Sequence, residues 1–423
     1  MNLVVDADRV LADLKELHER HGGPGGARRL AWSEDWLAAR EWFKGKLAEL
    51  DGVTVDRDEA GNIWAELPGA NDDGGFVIVG SHIDAVPSGG WLDGCLGVMA
   101  ALGVMRALAG SGVRPPVTVR LVDWADEEGA RFGRSLLGSS AAAGTLDPDD
   151  VRDLRDAKGT RLQDALAACD VDLDGAGAAH SRLEGALAYL ELHIEQGPVL
   201  LDTGRLASAV SGTFGDERYL ITFKGQSAHA GSTPMRLRKD SLAAAATAAL
   251  EIREVGIRHD GVCTVGAMTA DPGVITAIAG STEMMLDLRH LDADALATML
   301  EENLDACRRA ADQFDCEVSH RRVFGATPTP FHPKLVQLAR GAVDAAGGGD
   351  GDPIPSGPLH DATEIGRLVP TVMIFAQSDP PLSHTAIEDS PEEALRVAIE
   401  AYGRTVGGAL DAVAAGELQE ARA

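Results

Sequence analysis

Four short stretches carry residue types that hold cations and move protons. In SHIDAVPSGGWLDG, His82 is followed by Asp84 and Asp93. An imidazole at the end of a strand sits at the rim of its sheet, and Asp84 can accept its second N–H and fix its tautomer, as outer carboxylates do for metal-bound histidines. Gly89 and Gly90 allow the chain to fold back until Asp93 faces the same spot. In WADEEGARFG, Glu127 and Glu128 are adjacent. Like charges this close need a cation, or one of them must hold a proton; a metal that takes one as ligand and leaves its neighbour as base resolves the conflict. ELHIEQGPVL contributes His193, at a predicted sheet edge, and PPLSHTAIED contributes His384, just after an apolar strand. Each stretch alone also reads as ordinary chemistry: a polar surface turn, a solvated acidic helix start, a structural histidine. Together they form a nitrogen and oxygen donor set suited to zinc, manganese or cobalt rather than to thiolate chemistry.

The elements that must position these groups follow from hydrophobic periodicity. Helices are expected over Asp6 to Arg20 and from the N-cap Ser33, followed by a hairpin turning at Gly61-Asn62. Then come a strand (Phe76 to Gly80), a helix (Gly94 to Leu108), a strand (Val117 to Asp123) and a helical stretch after Gly138. Strand, helix, strand implies a mostly parallel α/β sheet, whose reactive groups gather beyond the strand carboxyl ends. From Tyr219 to Val323 the order becomes β-α-β-β-α-β, a ferredoxin-like α+β unit inserted into the larger domain. The expected boundaries are residues 1–211 with 330–423 for the catalytic domain and 212–329 for the insert, with hinges near Val210 to Gly215 and Gly325 to Pro330.

Composition narrows the partners. The 423 residues carry 38 basic and 66 acidic side chains, a net charge of −28 that repels phosphate backbones and anionic membranes. No nucleic acid or membrane partner is expected. No apolar run reaches the roughly 18 residues of a spanning helix, and MNLVVDADRV lacks a signal-peptide pattern, so a cytoplasmic protein is expected. Five scattered cysteines without a C-x-x-C pair argue against a disulfide framework or a thiolate zinc site.

The stretches GSHIDAVPSGGWLDGCLGV, DEEGARFGRSLLGS, HIEQGPVL, FKGQSAHAGSTPM, LDLRH, SGPLHDA and LSHTAIED, in this order, resemble the M20-type (aminopeptidase-like) di-metal amidohydrolases. The resemblance is to the hydantoinase/carbamoylase branch that holds N-carbamoyl-L-amino acid hydrolases, β-ureidopropionases and allantoate amidohydrolases. It implies two divalent ions per subunit (zinc, manganese, cobalt or nickel) bridged by Asp93, with His82 and His193 completing one and Glu128 and His384 the other. It further implies Glu127 as general base to a bridging water, and a cis Asp93–Gly94 bond. The insert would be a lid and dimerisation domain of a homodimer, with His229 stabilising the tetrahedral oxyanion from the partner subunit. Arg289 would grip a substrate carboxylate. Gln196 would contact the substrate amide, and His360 would line the site.

Three departures touch the substrate side. Thr276 stands where relatives usually carry Asn, Asp216-Glu217 follow Gly215 where relatives often have Gln, and the Gly that usually precedes Leu-Ser-His is replaced within DPPLSH. Asp216 would add an acidic wall favouring a substrate with a cationic or polar group. The implied activity is hydrolysis of a linear, non-peptide C–N bond in a small ureido or amide substrate bearing a carboxylate, foremost an N-carbamoyl-L-amino acid. Allantoate or ureidoglycolate hydrolysis and N-acyl amino acid cleavage are the alternatives within the mechanism. A catalytically silent binding protein of the same fold is the alternative outside it, and retention of Glu127 beside five ligands argues against that.

Overall fold

The computed structural model describes residue 1 and residues 3–71 and 75–418. The chain divides into two compact units, Met1–Gly212 with Phe331–Ala423, and Thr213–Pro330.

The first unit is built on one mixed sheet. Four strands, Thr118–Trp124, Phe76–His82, Ala186–Ile194 and Thr371–Ala376, lie side by side in that order and pair in parallel. The hairpin Thr54–Arg57 and Ile63–Leu67 adds antiparallel strands at one side, and Ala207–Thr213 does so at the other. Side chains alternate between two cores. Val77, Val79, Val372 and Ile374 join the cluster that includes Leu14, Phe43, Met99 and Leu395 on one face. Phe76, Ile78, Met373 and Phe375 join Trp64, Trp124 and Tyr189 on the other. Burial on both faces explains the unbroken apolar runs. The predicted helices are present as Ala7–His21, capped by Asp6, Glu34–Leu47, capped by Ser33, and Cys95–Gly110. The strand Ala186–Ile194, which periodicity did not mark, occupies the middle of the sheet.

Close packing of the helix Cys95–Gly110 rests on Gly97. A Cβ there would lie 2.4 Å from the Leu192 carbonyl oxygen and 2.6 Å from Ser81 Cβ, both on strands that carry site histidines. Backbone cannot yield as a flexible side chain can, so Gly97→Ala is expected to destabilise the protein by about 1–3 kcal/mol, measured as a fall in Tm or in the denaturant midpoint. A variant as stable as the parent would show that the helix can slide off the sheet freely.

The second unit has a four-stranded antiparallel sheet in the order Glu317–Ala326, Gly215–Lys224, Ser281–His290, Val262–Asp271, with the helices Ser241–Arg258 and Ala293–Gln313 packed on one face. That strand order, fourth, first, third, second, is the ferredoxin-like arrangement the β-α-β-β-α-β pattern requires. Among the described residues, no helix is long and apolar enough to cross a membrane.

Candidate metal centre

The parallel strands deliver the chemistry to one rim. His82 ends its strand, the acidic run 126–128 follows Trp124, His193 is the penultimate residue of its strand, and the chain beyond Ala376 leads to His384. All four positions lie at strand carboxyl ends, where α/β sheets bind their ligands.

Asp93 sits at the centre. Its Oδ1 lies 3.1 Å from His193 Nε2 and 3.6 Å from His82 Nε2, while its Oδ2 lies 3.5 Å from His384 Nε2. Glu128 Oε2 is 3.3 Å from the same His384 nitrogen. Two ligand atoms about 2.1 Å from a shared tetrahedral ion are about 3.4 Å apart, and these separations match. The tautomers match as well. His82 Nδ1 faces the Asp84 carbonyl at 3.2 Å and His193 Nδ1 faces the Ile194 carbonyl at 2.9 Å, so each ring turns an Nε2 lone pair inward. The Gly94 N–H donates to His193 Nε2, and His82 Nε2, fully buried, has no hydrogen-bond partner. The orphaned His82 Nε2 is a lone pair that a metal ion would satisfy, and His193 Nε2 offers one once its proton is displaced.

Asp84 works from behind. Its two oxygens accept the backbone N–H groups of Glu127 and Glu128, both at 3.2 Å, and so fix the two carboxylates relative to His82. Asp84 therefore reaches His82 chiefly through its own carbonyl, its carboxylate lying 3.7 Å from the ring. Glu127 is buried with Oε2 3.7 Å from His82 Nε2.

Electrostatics calls for cations here. Burial, then Asp361 and Glu128, push the Glu127 carboxyl well above its usual range, and burial with Asp93 does the same to Glu128. Burial raises Asp84 to about 6 and Asp126 to about 8. Burial acts against the ionised form of Asp93 too, but hydrogen bonds from His193 and His384 outweigh it and hold Asp93 well below its usual value. His193 is correspondingly raised to about 9, despite burial, by its bond to Asp93. In the metal-free protein a proton on His193 thus serves as counter-ion. Asp84, Asp126 and His193 all bind protons more tightly folded than unfolded, so their contribution to stability is present at low pH and fades as pH rises from about 4 to about 9. EDTA-treated protein is expected to lose Tm across that window, and added Mn²⁺ to restore more Tm at the alkaline end, where fewer protons compete. An ion-induced Tm rise that shrinks with pH would contradict this.

Two expected site residues lie alongside. Gln196 donates from Nε2 to Asp93 Oδ2 at 2.8 Å and to Ser383 Oγ at 3.0 Å, while its Oε1 is buried without a partner. His360 is buried with its ring centroid 4.5 Å from that of His193, and its Nε2 meets Ser356 Oγ at 3.0 Å. Burial, then the neighbouring His193, keep its imidazole neutral.

The remaining four belong to the second unit and fall into two places. His229 pairs with Ala277 on a two-residue ribbon, and the Thr276 carbonyl accepts from Ala230 N–H next to it. His229 Nδ1 accepts from the Gly231 and Ser232 N–H groups at 3.0 and 3.2 Å, which leaves Nε2 carrying the proton. Arg289 pairs in register with Asp216 near the far end of the strand Ser281–His290, roughly 26 Å from Ser281 at 3.3 Å per residue. Its guanidinium holds Asp287 at 2.9 and 3.3 Å and approaches Asp216 at 3.7 Å, while Arg218 lies 2.6 Å from Asp216 and 2.9 Å from Asp287. Asp216 is thus part of a balanced cluster of two acids and two arginines.

One expectation is corrected. Among the described residues the cis peptide bonds are Asp271–Pro272 and Asp379–Pro380. The turn after Asp93 is made instead by Gly94 at φ +64°, where a Cβ would lie 2.4 Å from the His82 ring.

Some supporting residues escaped the sequence reading. Tyr189, Glu191 and His193 alternate along one buried strand face; the Tyr189 hydroxyl donates to Glu191, which also accepts from Ser81 Oγ and the Ala362 N–H. A polar residue at every second position of an otherwise apolar strand was the available signal. Asp361 is fully buried, with Ser139 beside its carboxyl, and burial and Glu191 push that carboxyl well above its usual range. Glu388 stands four residues after His384 within the quoted LSHTAIED stretch.

A parallel-sheet α/β unit that converges histidines and carboxylates on one rim defines a hydrolase of the divalent-metal class. Residues 78–407 match Peptidase family M20/M25/M40, and the chain belongs to that family. It is 34% identical to an N-carbamoyl-L-amino acid amidohydrolase from Geobacillus stearothermophilus, covering 95% of this chain and 98% of that one. It is also 34% identical to an allantoate amidohydrolase from Escherichia coli (strain K12), covering 86% and 88%. A crystal structure of a hydantoinase/carbamoylase family amidase from Burkholderia multivorans superposes with a TM-score of 0.86 at 31% identity, covering 98% of this chain and 99% of that one.

Proposed function

We propose that the protein is a binuclear metal-dependent amidohydrolase that converts an N-carbamoyl-L-amino acid to the amino acid, ammonia and carbon dioxide. The observation that carries this reading is the two-sided Asp93, one oxygen turned to His82 and His193 and the other to His384 beside Glu128. Such an arrangement suits a carboxylate that bridges two ions, with His82 and His193 on one and Glu128 and His384 on the other. Bound there, divalent ions would acidify a water and polarise the scissile carbonyl. Glu127, buried among acids that raise its proton affinity, accepts the water's proton in its carboxylate form and delivers it to the departing nitrogen. His229 donates from Nε2 to the developing oxyanion. Arg289, held by Asp287 and Asp216, grips the carboxylate end of the substrate, and Thr276 lies on the His229 side of the insert. Zinc, manganese, cobalt and nickel all suit this donor set.

His229 pairs with Ala277, just ahead of the strand Ser281–His290, whereas Arg289 lies near the far end of that strand, roughly 26 Å from Ser281 and more than one small substrate spans. This supports a homodimer in which one protomer supplies Arg289 and its partner supplies the oxyanion donor. The strand Val262–Asp271 ends its sheet, and the helix Ser241–Arg258 exposes Leu242, Leu250 and Ile257, surfaces suited to that contact.

Equal identity to an allantoate amidohydrolase favours ureide hydrolysis as the second reading. Both readings are tested by ammonia release from Mn²⁺-reconstituted protein with N-carbamoyl amino acids, allantoate, ureidoglycolate, N-acyl amino acids and dipeptides. Ammonia with equimolar amino acid supports the first reading, and ammonia from allantoate alone the second. Free amine from acyl or peptide substrates without ammonia would overturn both.

A further inference from the structure

Four donors from two separate loops converge on one buried carboxylate. Glu388 Oε1 accepts from the Asp93 N–H at 3.1 Å and the Leu92 N–H at 3.4 Å. Its Oε2 accepts from Ser383 Oγ at 2.8 Å and the His384 N–H at 3.3 Å. One loop carries Asp93 and the other His384, residues nearly 300 positions apart that must stand at a fixed separation if they are to share an ion. Space for the carboxylate is left by Gly90, where a Cβ would lie 2.1 Å from Glu388 Oε1. Ser383 Oγ, also 3.1 Å from Asp93 Oδ2, closes the link between the two acids.

We propose that Glu388 is a positioning residue that fastens the Asp93 loop to the His384 loop and so sets the geometry of the ion position between Asp93, Glu128 and His384. This rests on the metal-centre reading given above. Glu388 itself contacts the backbone of the ligands rather than their donor atoms. Every one of its four partners is a hydrogen-bond donor, so both oxygens must accept. Glutamine has the same size but only one oxygen; it would turn its NH₂ toward either the Asp93 N–H or the His384 N–H and open one side of the clasp. The second position, which takes Asp93 and His384 from the two fastened loops, should therefore suffer more than the first, whose His82 and His193 stand on strand ends and which shares only Asp93.

The test uses the full-length protein, stripped with EDTA, as wild type, Glu388→Gln and Gly90→Ala. Gly90→Ala keeps the acid but displaces it. Mn²⁺ titration by calorimetry is expected to show one of two sites weakened about 10- to 100-fold in each variant and the other clearly less. Hydrogen exchange of the metal-free proteins is expected to show the amides of Leu92, Asp93 and His384 losing protection together. Unchanged affinities and unchanged exchange would overturn the proposal, as would equal weakening of both sites with protection lost throughout the unit, the mark of a merely structural role. Wild-type protein that binds no Mn²⁺, with the joint loss of protection still seen in Glu388→Gln, would uphold the fastening and remove the metal-centre reading.

Discussion

Replacing Glu127 with glutamine is expected to lower kcat about a hundred- to ten-thousand-fold while both ions stay bound. The two halves of that result have separate physical causes. Asp93, His82, His193, Glu128 and His384 supply the short nitrogen and oxygen separations, and Glu127 adds only a 3.7 Å approach to His82, so the donor set survives its loss. What the amide cannot do is take a proton. The native carboxyl can, because burial and the surrounding Asp361, Glu128, Asp84 and Asp93 raise its proton affinity. Bound cations lower that affinity from its metal-free level, leaving a group that gains and loses a proton within one turnover. The check pairs metal content by emission spectroscopy with single-turnover rates. Unchanged rates would remove Glu127 as the base, and a variant that loses an ion would make it a ligand instead. KM should move little, since the carboxamide preserves the shape of the pocket wall.

How far the chain announces this centre depends on what kind of signal each residue leaves. His82, Asp93, Glu127, Glu128 and His384 stand out because polar groups follow apolar runs, and an acid pair at a strand end is costly without a cation. The strand that carries His82 was legible for the same reason, since burial on both faces leaves Phe76 to Gly80 unbroken, and Val117 to Asp123 was legible by alternation, with Thr118 and Arg120 falling between Val117, Val119 and Leu121. The strand Ala186–Ile194 was not, because Tyr189, Glu191 and His193 interrupt its apolar pattern with the very polar stripe that serves the site. Glu388 was illegible for another reason. Its role is to gather N–H groups from a loop almost 300 residues away, and no local period reports a tertiary hydrogen bond. The alternating β-α-β-β-α-β order was enough to specify the strand order of the inserted unit, whereas Asp216 misled. Read alone it suggested an acidic wall, but within the folded unit Arg218 and Arg289 lie against it and share its charge with Asp287.

Mixing two inactive variants is expected to restore activity if His229 serves the partner subunit. His229→Ala alone should cost about a hundred- to a thousand-fold in kcat, the usual effect of removing one oxyanion donor. The ring is set up for that task, because two backbone N–H groups occupy Nδ1 and leave the proton on Nε2. Its place beside Ala277, ahead of the strand whose far end carries Arg289, is what assigns it to the other protomer's substrate. In a hybrid of His229→Ala and Glu127→Gln chains, one site would then combine both lesions and the other neither. Random reassortment of an equal mixture makes half the dimers hybrids, so about a quarter of all sites become intact and activity should return to about a quarter of wild type. If His229 acted within its own subunit, every site of every hybrid would carry one lesion and the mixture would stay as inactive as its parts. Dissociating and reassociating the mixed proteins, then assaying ammonia release against unmixed controls treated identically, separates the two arrangements without reference to which substrate is cleaved fastest.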